Sequence, residues 1–375
     1  MEPCSHRVGI ITFHRALNYG AALQAYALQQ TIAGFGHSCD IIDYVSQLNS
    51  PAHDLFRYYP SRYNLKYNLN TLSNIRSHVV LRWRFARFLK NRLSLSRPCH
   101  SHRDLCALAD SYHTFVTGSD QVWNPAMMQP NSMGAFFLDF PVRSRRVAYA
   151  PSFGVSKIDP SKRFKMTEYL RNFDHLSVRE VSGCNIVKEM IGREVPHVLD
   201  PTLLLSAAAY AGILAQNNFP EPYILVYPME MSEELIHLAV ALRQRLKFPL
   251  VAIVPIYHDP QKFLFADKIV FDAGPLEFLG WLKNARFVCT NSFHGTVFSI
   301  IFKKTFLNLA HSLWNSRSYS LLEKLGLLDR QFAHADQLNT QKHLLLPIDF
   351  QPVMKRLQPE IEYSRLYLRR ALTAK

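Results

Sequence analysis

The chain has 375 residues, 48% hydrophobic and 19% charged, with 43 Lys+Arg against 29 Asp+Glu for a formal net charge of +14. That length exceeds what one hydrophobic core usually fills, so two domains are expected, and the composition excludes a fibrous or globally disordered chain. The opening MEPCSHRVGIITFH lacks the basic and long apolar regions of a signal peptide, and no apolar run of roughly 18 residues occurs, so a soluble protein is expected.

In chain order, VGIITF (8–13) has strand length, AALQAYALQQTIAGF (21–35) has helical spacing closed by Gly36, and CDIIDY (39–44) is strand-like again. This β-α-β unit predicts a parallel sheet. Between Asp54 and Asp104 no acidic residue occurs, while eleven Lys and Arg interleave with aromatic residues. That segment, about 55–103, is expected to be a basic helical insertion. It is either a solvated surface or a patch that meets an anionic membrane. As a nucleic-acid site it lacks any recognised module.

Further strands are predicted at HTFVTG (113–118), RRVAYAP (145–151), HLSVR (175–179) and HVLDP (197–201). After the polar AQNNFPEP (215–222) a second alternation runs through YILVYP, EELIHLAVALRQRL, PLVAIVP, KIVF, PLEFLGWLKNA and RFVCT. The domain boundary is placed near 205–221, giving an N-terminal Rossmann-like domain over 1–210 and a second over 222–350. Residues 351–375 are expected to be an amphipathic helix interrupted at Pro359. The fold class is therefore α/β, two Rossmann-like domains facing each other across a cleft, where open sheets bind ligands.

Candidate site residues lie at the strand ends. In TNSFHGTVFSIIFKK (290–304) the turn Asn291, Ser292, His294, Gly295 sits at a helix start, where free N–H groups suit an anion and an imidazole can move a proton. Asn291 or Ser292 as a plain helix cap, with His294 packed, is the competing structural reading. Asn18, Tyr19 and Gly20 stand at the start of the first helix in the same way. That turn has no G-x-G-x-x-G, so Asp43 gives little support to a dinucleotide site, and no P-loop occurs. TGSDQVWNP gathers Ser119, Asp120, Gln121 and Asn124 around Trp123, a polar density suited to a sugar or, equally, to an Asx-type turn. YAPSFG ends a strand with Ser152, and LSVRE places Arg179 beside Glu180. Six separated cysteines with no C-x-x-C pair fit a reduced, cytoplasmic setting, and no metal site is expected.

The order NYGAALQAYALQ, GSDQVWN, YAPSFG, SVRE, VLDPT, NSFHGTVFSIIFKKTF over roughly residues 8–330 resembles the polysaccharide pyruvyl transferase family. The resemblance implies a GT-B-like glycosyltransferase architecture. It also implies transfer of the carboxyethylidene group of phosphoenolpyruvate to sugar hydroxyls as a ketal, with no further cofactor. The acceptor would be a surface polysaccharide, such as a capsule or exopolysaccharide, or its lipid-linked precursor at the inner face of the cytoplasmic membrane. By similarity, His294 is expected to bind the donor and move its proton, Arg179 to grip its phosphate or carboxylate, and Asp120 to act as base or sugar ligand. Many members carry Arg-Leu-His where this chain has Ser292-Phe293-His294, so one arginine is missing. Arg317 is the expected substitute, with Lys303 and Lys304 as alternatives. A non-catalytic anion- or glycan-binding protein of this fold and a nucleotide-sugar glycosyltransferase are the competing functions.

Overall fold

In a computed structural model, residues 6–45, 55–56, 62–127, 130–140, 143–255, 260–310 and 316–373 are described. Cys4 and most of 46–61 lie outside them.

The N-terminal lobe runs β1 (Arg7–Ile11), α1 (Tyr19–Ala33), β2 (Ser38–Ile41), α2 (Arg62–Ser73), α3 (Ile75–Arg92), α4 (His102–Cys106), β3 (Thr114–Thr117), α5 (Pro130–Phe136), β4 (Arg145–Ala148), α6 (Pro160–Arg171), α7 (Val181–Ile191) and α8 (Ala207–Ala211). Its sheet is parallel with order β2-β1-β3-β4. The C-terminal lobe runs β5 (Ile224–Tyr227), α9 (Glu233–Leu246), β6 (Leu250–Ile253), β7 (Lys268–Val270), α10 (Pro275–Asn284), β8 (Phe287–Thr290), α11 (Phe293–Ile301), β9 (Thr305–Leu309), α12 (Ser316–Leu325) and β10 (Gln331–Phe332), followed by α13 (Phe350–Thr373). Its order is β10-β9-β8-β5-β6-β7, again parallel. The fold class is therefore the two-Rossmann arrangement that the alternating pattern predicts.

Strands such as Ile224–Tyr227 and Phe287–Thr290 are buried at every position, which is why their sequences read as continuous apolar runs rather than alternating ones. Strand order reverses between β1 and β3 in one lobe and between β5 and β8 in the other. At such reversals the connections leave in opposite directions and open a crevice at the carboxyl ends of the strands. Residues 12–20 and 118–124 leave one crevice and 290–295 the other.

Two expectations need correction. HLSVR and HVLDP form only single parallel bridges, Val147 to His175 and Val178 to His197, rather than full strands. Pro196 has no N–H to donate, and after one bridge each segment turns toward the crevice, carrying Arg179 and Asp200 with it. The last helix runs unbroken through Pro359. It binds the N-terminal lobe from the far end of the chain: Ser364 Oγ accepts from Leu199 N at 3.0 Å, Tyr367 donates to Ala148 O at 3.1 Å, and Arg145 donates to Leu372 O at 2.8 Å.

The lobes meet over packed rings. Tyr19 of α1 stacks on Phe278 of α10 with centroids 4.7 Å apart, and also touches Phe85 of α3 and Tyr227 of β5. Arg84 of α3 reaches across to Asp272 at 2.8 Å and Glu277 at 3.3 Å. The basic insertion thus buries Leu81, Phe85 and Phe88 on one face and straps the two lobes together.

Candidate functional site

The starts of α1 and α11 point at one another across the seam. A Cβ placed on Gly20 would come within 2.0 Å of Nδ1 of His294, so only glycine lets the imidazole of one lobe rest against the backbone of the other. His294 is 7% exposed, buried at the seam rather than inside either lobe. Its Nε2 lies 3.6 Å from Oδ2 of Asp200, too long for a hydrogen bond, and has no hydrogen-bond partner among the described residues.

Asp200 is the hub. Oδ1 accepts from Thr202 N at 3.0 Å and Thr202 Oγ1 at 2.6 Å, while Oδ2 accepts from Arg179 at 2.7 Å and Ser119 Oγ at 3.0 Å. Burial alone would raise its pKa, but His294 and Arg179 beside it hold the carboxyl far below the usual range. Arg179, also buried, spans from Asp200 to Asp120 Oδ1 at 3.6 Å. Burial opposes its charge, but Asp200 and then Asp120 outweigh that and raise its pKa. Two of its nitrogens, Nε and Nη2, find no hydrogen-bond acceptor among the described residues. Asp120 has φ +76°, a left-handed backbone that Asp tolerates better than most side chains, and its C=O accepts from Ser152 N at 2.8 Å. That twist brings its carboxylate to face Arg179.

Phe293 is the floor between two guanidiniums. Arg179 Cζ lies 4.7 Å and Arg317 Cζ 5.6 Å from its ring centroid. Arg317, from the first turn of α12, makes no hydrogen bond or ion pair to any described residue, and its buried Nε is unsatisfied. Burial, then the charge of Arg179, pushes its pKa down to about 10. Glu180 adds a third carboxylate: Oε1 accepts from Ser152 Oγ, Phe153 N and Gly154 N, while Oε2 has no hydrogen-bond partner among the described residues. Arg179, Asp200, Phe293 and Arg317 bound a cavity of about 10 Å³, room for one water.

The structure therefore brings together Gly20, Ser119, Asp120, Arg179, His294 and Arg317 from the predicted residues. It places the others differently. Asn291 clamps the loop after β5, accepting from Met229 N at 2.7 Å and donating to Glu230 O at 2.6 Å. Ser292 caps α11 through Gly295 N, and a Cβ on Gly295 would meet Thr290 Oγ1 at 2.5 Å, so that glycine serves helix-on-strand packing. Gln121 and Asn124 bond each other at 2.6 Å and hold their own turn around the fully buried Trp123. Ser152 is fully buried and committed to Glu180. Tyr19 is a packing ring. Asn18 caps α1 by accepting from Ala21 N at 3.2 Å, and its Nδ2 faces Met229 Sδ across the seam at 3.9 Å. Asp43 is tied to His14 at 2.9 Å and to Arg15, so it offers nothing to a ribose.

Lys303 and Lys304 stand at the amino end of β9, on the opposite edge of the sheet, and cannot reach the seam. They line a groove of about 880 Å³ with Tyr223, Arg286 and Thr305. Open parallel sheets bind ligands at the other, carboxyl edge. Asp200 and Glu180 were missed because D-P reads as a helix-start aspartate, which Asp200 also is, and because a Glu beside an Arg reads as a surface pair. A carboxylate one residue before proline at a buried strand end was the available signal.

A family model described as polysaccharide pyruvyl transferase matches residues 18–312. No curated protein sequence matches the chain. Among solved structures, the S. aureus MnaA-UDP co-structure is 11% identical with a TM-score of 0.51, covering 96% of this chain and 96% of that one. A UDP-N-acetylglucosamine 2-epimerase structure is 10% identical with a TM-score of 0.50, covering 97% and 94%. The spinosyn rhamnosyltransferase SpnG is 12% identical with a TM-score of 0.44, covering 98% and 100%. Similarity at this identity speaks to fold alone.

Proposed function

Because the chain belongs to the polysaccharide pyruvyl transferase family, we propose that it transfers the carboxyethylidene group of phosphoenolpyruvate to two hydroxyls of a sugar in a surface polysaccharide or its lipid-linked precursor. The observation that carries the donor assignment is Arg317, a guanidinium at the seam that makes no hydrogen bond or ion pair to any described residue, although Asp120, Glu180 and Asp200 lie near enough to favour its charge. An arginine left unpaired beside a second, partly unsatisfied one is suited to the phosphate or carboxylate of a small dianion. Arg317 thereby supplies the positive charge that Ser292 does not.

The chemistry needs one proton delivered to carbon and two taken from hydroxyls. The methylene carbon of the donor gains a proton, a sugar hydroxyl adds to the adjacent carbon and loses its own, phosphate departs with the C–O bond pair, and the second hydroxyl closes the ring as its proton passes to the released phosphate. His294, with Nε2 free and its ring fixed against Gly20, delivers or receives the proton. Asp200 stays ionised and orients Arg179 and His294 rather than trading protons itself. Asp120, the more exposed carboxylate, serves as base or sugar ligand.

The test is phosphate release from phosphoenolpyruvate over a panel of glycan acceptors, paired with thermal stabilisation by phosphoenolpyruvate and by nucleotide sugars. Stabilisation by the former alone, with release, is expected. Stabilisation without release under any acceptor would leave a non-catalytic binder, and stabilisation by nucleotide sugars alone would move the chain to glycosyl transfer. In this assay His294→Ala is expected to lower turnover at least about a hundredfold, the usual effect of a positioned acid or base, while the chain still folds with melting lowered by the cavity that the ring leaves. Near-normal turnover would return His294 to packing.

A further inference from the structure

Helix α3 has two faces of opposite character. Leu81, Phe85 and Phe88 are buried against the body of the protein. On the far side Arg76, Val79, Trp83, Arg87 and Lys90 follow one another at spacings of three and four, so they form a single stripe, and all five are exposed. Helix α2 continues the apolar part with Leu65, Leu69 and Leu72, again at spacings of four and three. Leu65, Leu69, Leu72, Val79 and Trp83 each leave half or more of their surface in solvent. Five large apolar residues on two consecutive helices form a patch, where an ordinary surface shows them singly.

The charge that the two helices themselves carry has one sign. No acidic residue occurs between Asp54 and Asp104. Arg76, Arg87, Lys90 and Arg92 ring the stripe in solvent, and the Arg87 guanidinium lies over the Trp83 ring at 5.2 Å. Arg84, on the inner side, is spent on Asp272 and Glu277 and fixes the helix to the C-terminal lobe. An apolar centre with a tryptophan, flanked by exposed bases that form no ion pair with any described residue, is the chemistry of a helix lying in the plane of an anionic bilayer. Its side chains enter the headgroup boundary while the bases reach phosphates.

We infer that α2 and α3 together dock the protein on an anionic lipid surface. The inference is independent of the donor assignment, because binding needs neither phosphoenolpyruvate nor turnover. Its relation to the site is structural: Phe85, on the inner face of the docking helix, stacks on Tyr19 at 5.5 Å, and Tyr19 precedes the glycine against which His294 rests. A lipid-borne acceptor would therefore be met close to the seam.

Flotation of the full chain with vesicles of phosphatidylcholine, with and without roughly one third phosphatidylglycerol, tests it. Binding is expected only with the anionic lipid, and is expected to weaken as salt is raised. Arg76→Glu/Arg87→Glu/Lys90→Glu removes the ring of charge. At roughly a fivefold change in partition per basic residue, it should lower binding at least about a hundredfold. Val79→Ser/Trp83→Ser removes the apolar centre from a solvent-exposed face and should abolish flotation while melting stays at the wild-type value. Absence of binding, or binding that neither variant changes, would overturn the inference. So would a dimer in sedimentation velocity that the Val79→Ser/Trp83→Ser variant dissolves, since the face would then join two copies of this chain.

Discussion

At the residue scale the site is defined by groups whose hydrogen-bonding capacity exceeds what the protein supplies. Buried polar atoms without partners are rare, and here Arg179 Nη2, Arg317 Nε, His294 Nε2 and Glu180 Oε2 occur within one constellation. Arg317 separates a binding role from a structural one. A guanidinium that stabilised the fold would be missed when removed, whereas a part-buried one whose Nε is buried without an acceptor adds little to the stability of the fold or lowers it. Arg317→Gln should therefore leave the melting temperature unchanged or raised. The same variant should increase the KM for phosphoenolpyruvate by roughly ten- to a hundredfold, the scale of a lost charge-assisted hydrogen bond of about 1.5–3 kcal/mol. A fall in melting temperature with KM unaltered would show that Arg317 only packs on Phe293.

At the element scale, two helix starts abut because each is preceded by a turn that leaves a strand-order reversal. Gly20 and His294 are the point of contact. A methyl group at position 20 has no free direction, since both partners are anchored in first turns: α1 by its Asn18 cap and α11 by Ser292. Gly20→Ala should cost about 1–3 kcal/mol of overpacking. Melting should fall by several degrees together with a loss of turnover, whereas wild-type values in both assays would show that the lobes yield freely at this seam. The position of this contact was legible in sequence only in part. Alternating apolar runs and helical spacing located most strands and helices, because fully buried parallel strands and amphipathic helices differ in period. The turns were harder. N-Y-G and N-S-F-H-G read as caps or as ligand sites, and both readings apply, divided among neighbouring residues: Ser292 caps while His294 faces the other lobe. Asp200 could not be ranked from the chain, since its partners Ser119, Arg179 and His294 are brought to it by three separate connections.

At the scale of the whole molecule, stability in acid depends in part on a half-buried histidine near the seam. This residue, His197, has Nε2 donating to the C=O of Arg179 at 2.9 Å, and it shares the small cavity with Asp200, Phe293 and Arg317. Burial, then the nearby charge of Lys324, lowers its pKa to about 4; Lys324 is held at 2.6 Å by Glu360 of α13. A folded-state value below the unfolded one of about 6.5 means that both states are neutral above that pH. Between about 6.5 and about 4 only the unfolded chain takes the proton, so stability falls as the solution is acidified. The effect should reach about 2 kcal/mol between pH 7 and pH 5. Asp200 acts later: its carboxyl is depressed in the folded state, so its contribution is intact above about pH 4 and is lost only as pH drops further. Acid should therefore weaken the protein in two steps, the first owed to imidazoles whose pKa burial lowers, His197 among them, and the second to carboxylates such as Asp200 and Asp43 that are depressed in the folded state. His197→Gln keeps a donor toward Arg179 O without a titrating ring. Its melting temperature should decline less between pH 7 and pH 5 than that of the wild type, the remaining fall belonging to His37, His78 and His175, whose pKa values burial also lowers. A variant that tracks the wild type across that interval would assign the first step to other groups.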